Sequence, residues 1–106
     1  MTIITQHTPD EEKLKKIIEK MKILGAPTIK MFRDCFNNIL SLEGSHRIAA
    51  AHALGLVPKI EFLALDDDVT DVQDYENWPA RGDTVAEIFE EMKMYWWDWE
   101  TCTYEF

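Results

Sequence analysis

Two cysteines, Cys35 and Cys102, are all that 106 residues contain. That is too few for a disulfide scaffold, and their separation is not a metal-ligand spacing, so both are read as reduced thiols. Positive charge is also scarce. Eleven Lys and Arg face twenty Asp and Glu, giving a net charge of −9. A field of that sign repels polyphosphate backbones and removes the main driving force for nonspecific binding of nucleic acid. Any anion site must therefore be local. Long apolar runs are missing too: nothing approaches the roughly 20 residues of a membrane span, and the first twelve residues lack the basic start and apolar stretch of a signal peptide. The expectation is a soluble, cytoplasmic protein without a membrane partner. Low-complexity linkers and internal repeats are absent, so the chain reads as one domain with a core over 8–65, an acidic loop over 66–83, and a final helix with an aromatic tail over 84–106.

The four glycines and four prolines punctuate what remains. Thr8, Pro9, Asp10 and Glu11 have the form of a capping box, with Thr8 as N-cap and proline at the first helical position. Leu14, Ile17, Ile18, Met21 and Leu24 follow at helical spacing, and Gly25 and Pro27 stop the helix. "PTIKMF" and "NILSLE" alternate like strands around the turn residues "RDCFNN", which predicts a β-hairpin. Ser45 to Leu54 reads as a second helix ending at Gly55, and "VPKIEFLAL" as a further strand with Ile60 and Phe62 on one side. The predicted order is helix, strand, strand, helix, strand. The fold class is α/β (α+β), a small mixed sheet with packed helices.

Beyond it, "DDDVTDVQDYENWPARGD" is a solvated acidic connection. Counted as a calcium loop from Asp66, it has Asp71 where glycine is needed and Asn77 where glutamate is needed. Thr84 and Glu87 form another capping box, and Val85, Ile88, Phe89, Met92 and Trp96 lie along one helical face. The tail "MYWWDWETCTYEF" is dense in aromatics. Packing onto the domain's own core is the preferred reading, with a protein partner or self-association as the alternative.

One stretch carries candidate chemistry. In "LEGSHRIAAAHALGLVP" a strand ends at Glu43, Gly44 makes a tight turn, and a helix begins at about Ser45. The amides of Ser45, His46 and Arg47 are then the unpaired donors of a helix N-terminus, which with the helix dipole suit an anion. Arg47 adds a planar cationic fork, and His46 a donor that changes charge near neutrality. The plain alternative is that Ser45 caps a helix while His46 and Arg47 are surface residues. Spacing alone leaves the two level. His52, six residues after His46, is not placed to chelate a metal with it and belongs on the rim.

The order helix, "GAPTIKMF", hairpin, "LEGSHRIAAAHALGL", "VPKIEFL" resembles the ParB/sulfiredoxin superfamily over roughly residues 8 to 65. Members carry a Gly-x-(His/Arg)-Arg step, an alanine-rich helix, Leu-Gly and a Val-Pro strand. The resemblance implies a ParB/sulfiredoxin-like fold and nucleotide phosphates as ligands: CTP in partition proteins, ATP in sulfiredoxins, ADP in free serine kinases. Carried over, Gly44, Ser45, His46 and Arg47 would bind phosphates. Glu43 matches the acidic residue preceding the glycine in serine-kinase-like members. Ser45 stands where sulfiredoxins have their catalytic cysteine, so sulfinic acid repair is not expected. The basic segments and helix-turn-helix domain of partition proteins are missing.

The function expected is thus a small nucleotide-binding domain, possible as an ATP hydrolase or phosphotransferase. Glu43 and His46 are its candidate catalytic residues, and Glu43 is placed to act through Mg²⁺. The alternative is a regulatory or protein-interaction module of the same fold, with a DNA-binding or nuclease-like member disfavoured by charge.

Overall fold

A computed structural model describes residues 1–5, 8–33, 38–41, 44–68, 84–87 and 102–106. The chain is an α+β domain. Its elements are β1 (Thr2–Thr5), α1 (Glu11–Leu24), β2 (Thr28–Arg33), β3 (Ile39–Ser41), α2 (Ser45–Leu54), β4 (Lys59–Phe62) and β5 (Cys102–Glu105). They form a five-stranded mixed sheet of order β4-β2-β3-β1-β5. The pairs β1–β3 and β2–β4 are parallel, whereas β2–β3 and β1–β5 are antiparallel.

This topology interlocks two β-α-β units, β1-α1-β2 and β3-α2-β4, each straddling a strand of the other. Because β1 and β3 run parallel, the helices that follow them both start at the same end of the sheet. The middle of the predicted order, from α1 through β4, is as expected, and β2 pairs with β3 as the hairpin reading requires. Strands β1 and β5 are additions: the sheet extends beyond the 8–65 core to both ends of the sequence. Four residues of "TIIT" between polar neighbours are too short to stand out by periodicity, and β5 sits inside an aromatic-rich stretch whose composition masks its alternation.

Register sorts the side chains by face. Ile3, Ile39 and Tyr104 lie in one row, and Ile29 is level with Ile60. With Met31 and Ile48 of α2 these residues form the main core, onto which Phe106 also packs. A fully buried Ile such as Ile48 contributes about 1.5–3 kcal/mol by leaving water. The opposite face of the sheet also carries buried residues, Phe32 and Leu40, which are register partners. Ala50 and Ala51 of α2 are fully buried with Met21 of α1, flanked by Leu14, Ile17, Ile18, Leu54 and Leu56. Small residues here let α1 come close to α2.

Two details of α1 differ from the sequence reading. Its N-cap is Asp10, not Thr8: Asp10 Oδ1 accepts from the Lys13 amide at 2.9 Å. Aspartate is at least as good a cap as threonine, and capping from Asp10 leaves Glu11 and Glu12 in the first turn, beside the positive end of the helix dipole. Leu24, expected on the apolar face, is 80% exposed because the helix ends there. Phe62, on the same side of β4 as Ile60, is half exposed at the end of the described sheet and carries the Arg33 guanidinium 4.7 Å over its ring.

The tail's own-core reading holds for its described part. Tyr104 and Phe106 pack on the core, and His52, exposed on α2, meets both rings, tilted against Tyr104 at 5.3 Å and perpendicular to Phe106 at 5.6 Å between centroids. Burial pushes the Tyr104 hydroxyl above the usual tyrosine range, with neighbouring Cys102 adding to the shift. The Thr84 cap is also present, its hydroxyl accepting from the Glu87 amide at 3.3 Å. Residues 69–83 of the acidic connection, the rest of the final helix face (Ile88, Phe89, Met92, Trp96) and Cys35 lie outside the described residues. No helix among the described residues is long and apolar enough to cross a membrane.

Candidate functional site

The carboxyl ends of β1 and β3 lie side by side and lead to the starts of α1 and α2. This is where open sheets with parallel strands offer ligand sites, since helix N-termini point their amides there. Polar burial gathers at this end. Among the described residues the buried polar side chains are Thr5, Ser41 and Ser45. Thr5 and Ser41 are the last residues of β1 and β3, and Ser45 is the first of α2. The Thr5 hydroxyl donates to the Cys102 carbonyl at 3.2 Å, and that of Ser41 to the Ile4 carbonyl at 3.5 Å. Ser45 is only 4% exposed, and among the described residues its hydroxyl has no hydrogen-bond partner. An orphaned buried hydroxyl costs about 1–3 kcal/mol, which makes it a signal worth explaining.

Gly44 connects β3 to this helix with φ 72° and ψ 27°, a left-handed conformation that other residues adopt only with strain. Its carbonyl opens the helix, accepting from the Ile48 amide at 2.8 Å. A Cβ on Gly44 would lie 3.2 Å from both Arg47 Nη2 and Ile29 Cδ1. The absence of a side chain on Gly44 therefore lets the Arg47 guanidinium lie close over the turn. Arg47 Nη1 reaches the Thr28 carbonyl at the start of β2 at 3.5 Å. The first turn of α2 contains no acidic residue. A guanidinium thus sits at the positive end of a helix dipole, and like signs there favour an added anion.

His46 has a task that spacing did not suggest. Its Nε2 accepts a hydrogen bond from the Asp10 amide at 2.9 Å. A backbone N–H only donates, so Nε2 is unprotonated and the neutral ring carries its proton on Nδ1. In a capping box the N-cap amide is taken by a glutamate three residues on; here that position is Lys13, and His46 from the other helix supplies the acceptor. The contact joins the starts of α1 and α2. The Lys13 amide holds the Asp10 carboxyl below the usual carboxylate range against an opposing desolvation, with smaller help from the Lys13 charge and the Glu12 amide.

The structure therefore brings Gly44, Ser45, His46 and Arg47 together in one turn, as their adjacency requires. Glu43 lies outside the described residues. Sequence reasoning missed the buried Thr5 and Ser41 floor and the tie to Asp10, since both depend on strands β1 and β3 being neighbours. Among the described residues no three His, Cys, Asp or Glu side chains gather into a metal-holding group. Set against protein-family models, curated proteins and solved structures, the chain matches none. The likeness to the ParB/sulfiredoxin superfamily accordingly rests on the residue pattern alone.

Proposed function

We propose that this protein binds the phosphate groups of a nucleotide at the N-terminus of α2, as a ParB/sulfiredoxin-like domain would. The observation that carries the reading is the buried Ser45 hydroxyl, without a partner among the described residues, in a first turn that has no acid and holds the Arg47 guanidinium over Gly44. A phosphate oxygen would accept from that hydroxyl and from the exposed amides, with the guanidinium's positive charge beside it. The molecule's negative charge confines the site's appeal to small anions, because a polyanionic strand would meet the repulsive field of the whole chain.

In this reading Gly44 lets Arg47 fold over the turn, and Ser45 and Arg47 contact phosphate. His46 belongs to the site as a neutral ring that fixes the start of α2 against α1. Phosphoryl transfer, the catalytic form of the same reading, draws on Glu43. A carboxylate beside phosphates repels them unless Mg²⁺ lies between, and Mg²⁺ is commonly held by one or two carboxylates together with the phosphates. Glu43 is the residue assigned that role, with His46 the second candidate for catalysis.

The test is titration calorimetry and thermal unfolding with ATP, ADP, CTP or GTP, in Mg²⁺ and in EDTA. A nucleotide at 100 times its dissociation constant should add about 2.7 kcal/mol of stability. Glu43→Gln should leave metal-free binding equal or tighter and weaken only the Mg²⁺-dependent part. Absence of stabilisation by every nucleotide and by inorganic phosphate would sink the proposal and return the turn to a purely structural role.

A further inference from the structure

We infer that β4 is a self-association edge, pairing antiparallel with β4 of a second copy of this chain around Ile60. Strand β4 ends the sheet, and among the described residues no strand lies beyond it. The Lys59 amide donates to the Pro27 carbonyl and the Leu63 amide to the Met31 carbonyl, both at 2.8 Å. Backbone groups alternate in direction along a strand, so Lys59, Glu61 and Leu63 face β2 while Ile60 and Phe62 point their N–H and C=O groups outward. An antiparallel pair centred on Ile60 uses those groups: Ile60 exchanges both of its hydrogen bonds with Ile60 of the second copy. The Phe62 amide then meets the Pro58 carbonyl of that copy. The pairing stops there because proline has no N–H to return.

Charge selects the second copy as the occupant. Centred on Ile60, the register sets Lys59 opposite Glu61 of the other copy and Glu61 opposite its Lys59, at the closely spaced, non-hydrogen-bonded positions where cross-strand side chains interact best. Both residues are exposed and lie on one face of the sheet. Around them Val57, Phe62 and Leu65 are exposed apolar residues, at 57, 47 and 59%. Natural edges are guarded against unspecific pairing by short length, edge charges and proline, and β4 has four residues, Lys59, Glu61 and a preceding Pro58. In the register centred on Ile60 the two charges become complementary and Pro58 only ends the ladder. The other edge, β5, offers no such complementarity: its four residues include Glu105 and no basic residue. Pairing through β4 would join two sheets of five strands into one of ten.

Sedimentation velocity of the full chain at about 150 mM salt, where charges are screened beyond about 8 Å, is expected to show a concentration-dependent monomer–dimer equilibrium. Lys59→Glu and Glu61→Lys each convert two attractive cross-strand pairs into two repulsive ones, so each should weaken the dimer about tenfold or more. General charge repulsion makes a different forecast, since Glu61→Lys lowers the magnitude of the net charge and would strengthen association. Mixing the two single variants should restore association as a heterodimer, because every pair is again Lys with Glu. The double variant K59E/E61K should restore the homodimer, and it covers the case in which Glu61→Lys disturbs the fold through Lys30, its register neighbour on β2. A chain that stays monomeric at millimolar concentration overturns the inference. So does a dimer indifferent to both single substitutions, or the failure of both the mixture and the double variant to restore pairing.

Discussion

The starts of the two helices lie together at one end of the sheet and are treated in opposite ways. At α1 the positive end of the dipole receives an aspartate cap and two glutamates, Asp10, Glu11 and Glu12. At α2 the cap position is Gly44, the first turn has no acid, and Arg47 folds over it. A chain with twenty acidic residues places three of them at one helix start and none in the first turn of the other. The first start carries acid against its dipole; the second carries none in its first turn and an arginine instead. The proposed anion site rests on that difference, since an acid at a helix start answers the dipole that an anion would otherwise meet.

The comparison breaks most visibly at Arg47. Arg47→Ala should weaken nucleotide binding by about 1.5–3 kcal/mol, the worth of a charged hydrogen bond, with or without Mg²⁺. Calorimetry that finds wild-type affinity in this variant would place the anion elsewhere or nowhere. Next in size is Gly44→Ala, which forces a Cβ into a left-handed conformation and against Ile29 and Arg47. A loss of about 1–2 kcal/mol in urea unfolding is expected from the backbone alone. Gly55→Ala, in the same left-handed conformation (φ 69°, ψ 22°) with open space around it, should suffer only that backbone cost, so a smaller loss at Gly44 than at Gly55 would contradict the packing described for Arg47.

His46→Ala removes the acceptor for the Asp10 amide and should cost about 0.5–1.5 kcal/mol of stability. His46→Gln, whose carbonyl can accept, is expected to recover part of it, and equal losses in both would show that the tie between the helices contributes nothing. The smallest effect is that of pH on the Asp10 cap. Its folded carboxyl titrates below the unfolded value, so the unfolded chain binds the proton more readily. The stabilisation is present above the ordinary aspartate range, near 3.9, and is lost as pH falls through the lower folded value. Asp10→Ala should therefore be less stable than the parent at neutral pH, with the gap closing in acid. Tyr104 works in the other direction: its raised value means stability held below about 10 and lost as pH rises through the higher folded value. Alkaline unfolding of a Tyr104→Phe variant should lack that component.

Each helix start was legible to a different degree. Gly44 through Arg47 stood out because a glycine, a serine and two cationic residue types ahead of an alanine run are local features, and α2 begins and ends where they and Gly55 say. The start of α1 offered two capping side chains, Thr8 and Asp10, and the choice of Asp10 depended on what else reached that end. His46 takes the Asp10 amide, which a reading confined to residues 8–14 has no means to see. Strands β1 and β5 were hidden for a related reason. They are short, and they become strands only by pairing with each other and, for β1, with β3, more than thirty residues away.

By itself the sequence determined the helices, the hairpin, the strand after α2 and the cationic turn between β3 and α2, because capping, periodicity and turn chemistry act over a few neighbouring residues. It also determined the sign of the molecular field, which is a sum over composition. Tertiary structure alone decided that the two helix starts meet, that Thr5, Ser41 and Ser45 are buried at that end, and that β4 ends the sheet among the described residues. Those facts follow from the parallel pairing of β1 with β3 and of β2 with β4, which joins residues distant in sequence and leaves no mark in the local pattern of either partner.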